Sequence, residues 1–140
     1  AVACHTLGWL ILALDASEGG GLLASHLVAM GKDYAAMGGE EPEVWLVWAR
    51  AIVQTGGGQE AYLEADAVHA ENDQKLSSSL LAVIVRTWAR ALVLHSRGRW
   101  EEAASTLDCL LQLDEGHVGG YWLRGCCRMQ LGRLGEAEDD

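Results

Sequence analysis

The side chains best suited to chemistry in this 140-residue chain are five histidines and four cysteines. A metal centre would need them at ligand spacing, as in HExxH or paired CxxC motifs. His5, His26, His69, His95 and His117 form no HExxH and no pair at i, i+4. Cys4, Cys109, Cys126 and Cys127 form no CxxC. Cys126 and Cys127 are adjacent on a predicted helix, so their side chains diverge by about 100°. That suits neither a shared metal nor a mutual disulfide. An even cysteine count invites a disulfide framework, but a chain that is half apolar needs no such staples. Free thiols in a reducing, cytoplasmic setting are the expectation. Ser77, Ser78 and Ser79 lie outside any GxSxG elbow. The glycine-rich turns lack the Lys-Ser/Thr of a phosphate loop. Asp139, Asp140 and the scattered glutamates read as a solvated face. No constellation supports catalysis, and the expectation is a non-enzyme without cofactor or metal.

Charge narrows the partners. The net charge of −10 reads as a solubilising surface. It disfavours nucleic acid, whose phosphates need a basic footprint, and also an anionic membrane. The apolar run Trp9–Leu14 is far below the roughly 20 residues that span a bilayer. No basic region precedes it, as a signal peptide would require. The chain starts without methionine and ends inside a repeat, so it is read as a fragment of a longer protein.

Such residues as could act must be positioned by a repetitive scaffold. Trp9, Trp48, Trp88 and Trp122 each stand ten residues before a glycine: Gly19, Gly58, Gly98 and Gly132. Thr87–Ala103 (TWARALVLHSRGRWEEA) and Tyr121–Ala137 (YWLRGCCRMQLGRLGEA) align without a gap at an offset of 34 residues. They share Trp88/Trp122, Arg90/Arg124, Gly98/Gly132, Arg99/Arg133, Glu102/Glu136 and Ala103/Ala137. Self-similarity at such a period marks a solenoid.

Helical periodicity runs through the chain, with little alternation of period two. Residues 1–16 form a first helix, with Leu7, Leu10, Ile11 and Leu14 on one face, and glycines 19–21 turn it into a partner over 22–37. Pro42 and its acidic neighbours start a helix over about 43–55. That helix is apolar nearly all round, as an innermost helix would be. Gly56–Gly58 lead into 59–71, and a polar link from Glu71 to Ser79 precedes a helix over 78–96. Gly98 turns the chain into 99–113. A last first-helix covers about 118–131, with a turn at Gly132 and a partner from Arg133 that is cut short at Asp140. The repeats are therefore placed at about 1–38, 43–72, 78–114 and 118–140 of a single domain.

These residues resemble the tetratricopeptide repeat (TPR), a 34-residue helix–turn–helix unit. The match is best over residues 84–140, where Leu113-Asp114, Tyr121, Gly125, Gly132 and Ala137 occupy its marked positions. Glu115 stands where the family often has proline. The resemblance implies an all-α, right-handed superhelix of about four repeats, the last truncated. It also implies binding of a partner helix or peptide in a concave groove. Carried over residue by residue, the groove positions are Thr6, Trp9, Leu10 and Ala13; Trp45, Trp48, Ala49 and Ile52; Val85, Trp88, Ala89 and Leu92; and Trp122, Leu123, Cys126 and Met129. None is charged, which argues against the clamp that chaperone-binding members use on a terminal carboxylate.

The expected function is thus protein–protein interaction through an apolar, tryptophan-lined groove, in a scaffold, adaptor or chaperone-like holder. The tryptophans serve as interface anchors or pack as inter-helix core; one residue of rotation decides between the two. Arg50, Arg90 and Arg124, each two residues after a tryptophan, are read as inter-repeat ion pairs or as a ladder for acidic ligands. Two other functional readings stand beside the adaptor. One is a regulatory or substrate-recruiting arm of a larger enzyme or transcriptional regulator. The other is a domain that self-associates through its open C-terminal end.

Overall fold

The computed structural model describes residues 2–17, 21–73 and 79–139, with the side chains at 21–22, 70–73 and 136–139 outside the description. Gly19 and most of the polar link after α4 therefore lie outside the described residues. Among them the helices are joined by short turns, and there is no strand. The helices are α1 (Val2–Ala16), α2 (Gly21–Ala36), α3 (Pro42–Thr55), α4 (Gln59–Asp73), α5 (Leu80–Ser96), α6 (Trp100–Leu113) and α7 (Val118–Asp139).

Local chemistry sets most ends. Pro42 opens α3, where its missing N–H costs nothing, and Glu43 faces the positive end of the helix dipole. Ser79 caps α5 by accepting a hydrogen bond from the Ala82 N–H at 3.2 Å. The end of α5 is a Schellman turn. Gly98 takes φ +83°, its N–H donates to the His95 carbonyl, and the Arg99 N–H donates to the Leu94 carbonyl.

The expected turn at Gly132, and the second helix from Arg133, are corrected: α7 runs unbroken through Gly132 to Asp139. The two glycines differ in the residues downstream of them. Beyond Gly98, α6 supplies Ala103, Leu107 and Leu110 to a core. Beyond Gly132 the eight residues RLGEAEDD offer one large apolar side chain, Leu134. Gly132 keeps a helical backbone, without the positive φ of Gly98.

Two cores result. The larger one joins α1 to α5 through Ile11, Leu27, Tyr34, Trp45, Trp48, Ile52, Tyr62, Ala89 and Val93. The second joins α5, α6 and α7 through Ala91, Leu94, Ala103, Leu107, Leu110, Leu123 and Cys127. Helix α5 serves both, with Ala89 and Val93 on one face and Ala91 and Leu94 on another. Helix α3 packs closely on α2 and α5. Its sequence-based reading as a many-sided buried helix agrees with burial of Val44, Trp45, Val47, Trp48, Ala49, Ala51 and Ile52. The close α2–α3 approach depends on Gly31, since a Cβ there would lie 2.3 Å from Trp48 Cγ.

Candidate functional site

The ten residues expected to line a groove fall into three groups. Trp45, Trp48, Ile52 and Leu123 are corrected to core: they are 0–2 % exposed. Val85, Trp88 and Leu92 are half-buried. Trp9, Trp122 and Met129 are exposed, the two tryptophans at 75 % and 67 %. The accompanying positions divide similarly. Ala49 and Ala89 are buried, Cys126 is half-buried, and Thr6, Leu10 and Ala13 are exposed.

The buried tryptophans belong to an aromatic cluster between α3 and α4. Trp45 and Trp48 lie 5.3 Å apart, and Tyr62 of α4 stands 5.5 Å from the first ring and 4.8 Å from the second. His69 completes it at 5.5 Å from Trp45. Trp45 Nε1 donates to the Gly39 carbonyl at 3.0 Å. Trp48 Nε1 has no hydrogen-bond partner among the described residues. Rings filling the gap explain why α4 makes no close backbone approach to α3 comparable to those of α2 and α5.

A polar centre, which sequence reasoning missed, is set against these rings. The Arg86 guanidinium lies 3.8 Å above the Trp45 ring. Its Nη2 donates to Asp66 Oδ1 at 2.7 Å, and Arg90 Nε donates to Asp66 Oδ2 at 2.5 Å. Both Asp66 and Arg86 are buried. Burial, with Asp66 nearby, pushes the Tyr62 hydroxyl well above the usual phenol range. The available signal was a pair of cations, Arg86 and Arg90, one helical turn apart inside a largely apolar run (LAVIVRTWARALV).

The three spaced arginines each pair with an aspartate of an earlier helix. Arg50 reaches Asp15 at 3.3 Å, Arg90 reaches Asp66, and Arg124 reaches Asp108 at 3.0 Å. These are the inter-helix ion pairs expected of them. All four cysteines are free, and Cys109 is exposed. Burial and then neighbouring Cys126 push the Cys127 thiol upward, away from reactive thiolate character. Burial also lowers the His95 imidazole below its usual range. Among the described residues no group of three His, Cys, Asp or Glu could hold a metal. No described helix is long and apolar enough to cross a membrane.

Exposed apolar side chains occur along the chain, among them Val53 of α3, Val68 of α4 and Leu80 and Leu81 of α5, but the exposed tryptophans among the described residues stand at the two ends of the helix series. At the N-terminal end α1 exposes Val2, Trp9 and Leu10. At the other end α7 exposes Tyr121, Trp122 and Met129. Trp88, which aligns with Trp122, is instead half-buried at the entry to the next helix: the His117 ring lies 4.9 Å away, tilted by 50°, and Gly119 leaves room for the indole. Comparison of the chain with known protein families, characterised proteins and solved structures finds no match.

Proposed function

We propose that this chain is a tetratricopeptide-like helical-repeat module that binds a partner protein. The observation that carries this reading is the exposure of Trp9 and Trp122 on a chain whose other four tryptophans are buried or half-buried. An indole can bury roughly 150–250 Å², and exposed ones are costly to leave in water unless used. The solenoid part of the reading is supported by the 34-residue offset and by the direct packing of α3 on α5, the first helices of successive hairpins. The reading differs from a groove lined throughout by tryptophan, because Trp45 and Trp48 are committed to the core. The ends, not the centre, do the binding.

A capture experiment tests this. Wild-type bait and a Trp9→Ala/Trp122→Ala bait, both checked for helicity by circular dichroism, are incubated with native lysate. A protein held by wild type and lost by the intact double variant is the expected result. An identical catch on both baits contradicts the reading.

A further inference from the structure

Helices α4 and α6, which follow α3 and α5 in the chain, are held in different ways. Helix α6 buries Ala103, Leu107 and Leu110 in the second core. Helix α4 buries one large apolar side chain, Tyr62, with Leu63 and Ala65 partly covered, and leaves Val68 in water. It is also the helix held least by close backbone approach. Helix α3 packs directly on α2 and on α5, so these three hold together without α4.

Charge supplies much of what holds α4. The helix carries five carboxylates, Glu60, Glu64, Asp66, Glu71 and Asp73, and no lysine or arginine. The cations come from α5 and its C-terminal end. Buried Asp66 bonds both Arg86 and Arg90, and exposed Glu60 lies 2.6 Å from Arg97. Buried polar groups are left over in the same seam. Trp48 Nε1, Tyr62 Oη, and Arg86 Nε and Nη1 have no hydrogen-bond partner among the described residues, and their side chains come from α3, α4 and α5 in turn. Lifting α4 gives these groups to water, so opening recovers part of the desolvation cost of the closed state. The chain enters α4 through three glycines. Gly56 and Gly58 take φ +75° and +93°, and Gly57 between them has open space around it. Such a segment can absorb a large backbone change.

We propose that α4 is a lid latched by Asp66. It leaves the aromatic cluster as a unit, hinged at glycines 56–58, while α2, α3 and α5 stay packed. Opening withdraws Tyr62 from the rings of Trp45 and Trp48 and bares the side of α3 that the closed structure seals. It also separates the Asp66 carboxylate from Arg86 and Arg90, which is why removal of that one charge loosens the lid. The proposal holds whatever the chain binds, and so stands apart from the partner-binding reading.

Native-state hydrogen exchange of the whole chain, followed by mass spectrometry at a series of low urea concentrations, tests this. The amides of residues 62–69 should exchange at least about tenfold faster than those of 47–52 in α3 and 89–94 in α5. Their exchange should also respond weakly to urea, because lifting one helix exposes little surface, whereas the α3 and α5 amides should show the steep response of global unfolding. Asp66→Asn, which removes the charge and nearly keeps the shape, should speed exchange in α4 by about tenfold or more over wild type. Exchange of α3, α4 and α5 together, with one urea slope, overturns the proposal. So does α3 opening along with α4, since the lid would then take its base with it. Unchanged α4 exchange in a folded Asp66→Asn overturns the latch. Should that variant not fold, Arg90→Gln, which takes away the less buried of the two cations, replaces it with the same expected direction.

Discussion

The centre and the C-terminal end of this molecule use the same residue types for opposite purposes. Trp48 and Trp122 each stand ten positions before a glycine. One is sealed among α2, α3 and α4 and the other lies in water. Gly98 and Gly132 are likewise counterparts, yet one takes a left-handed φ and ends a helix while the other lies inside one. The difference comes from neighbours. Among the described residues α3 packs closely against both α2 and α5, whereas α7 packs closely against α6 alone.

The comparison breaks first if central residues prove dispensable. Trp48→Ala should cost about 3–5 kcal/mol in urea denaturation, as expected of a buried aromatic. Asp66→Ala should cost a similar amount, about 3–5 kcal/mol, because Arg86 is then buried without its counter-charge. A loss below about 1 kcal/mol in both, the range of an ordinary surface change, would mean that the cluster between α3 and α4 is loosely held.

Smaller changes sharpen it. Gly31→Ala pushes a methyl into the Trp48 ring and should destabilise by about 1–3 kcal/mol. Alanine at the two equivalent glycines should act with opposite sign. Gly98→Ala forces a side chain into the left-handed region and should cost about 1–2 kcal/mol. Gly132→Ala, in an exposed helical position, should stabilise by about 0.5–1 kcal/mol. Equal losses at both positions would restore a turn at Gly132.

The subtlest test uses pH. The folded-state pKa of Tyr62 is raised above its unfolded value of 10.0, mainly by burial. Unfolding therefore releases a proton once pH exceeds about 10, and stability falls as pH rises from there. Tyr62→Phe, which removes a buried hydroxyl with no hydrogen-bond partner, should leave stability at neutral pH nearly unchanged. It should also make the alkaline decline shallower in thermal melts. An unaltered slope would show that Tyr62 is hydrated.

Much of this is legible in the sequence. Periodicity alone indicates the all-helical class, and helix ends fall near Gly38, Gly56 and Gly98 because glycine alone relieves a left-handed φ. Three things are not legible, for physical reasons. Whether a tryptophan faces core or solvent turns on one residue of rotation, about 100°. At Trp45 and Trp48 the deciding contacts come from Gly31, Gly39 and Tyr62 on other segments. The expected turn at Gly132 does not form, because glycine permits a left-handed φ without requiring it, and a spacing motif carries no information about which it adopts. The role of Arg86 is hidden too, since its partner Asp66 lies 20 residues away, beyond a polar link.

One measurement sets all six tryptophans side by side: 19F NMR of 5-fluorotryptophan-labelled protein, titrated with a soluble paramagnetic agent. Trp9 and Trp122 should broaden most, half-buried Trp88 and Trp100 less, and Trp45 and Trp48 least. Broadening of Trp45 or Trp48 as strong as that of Trp122 would contradict the division between a tryptophan core and tryptophan ends.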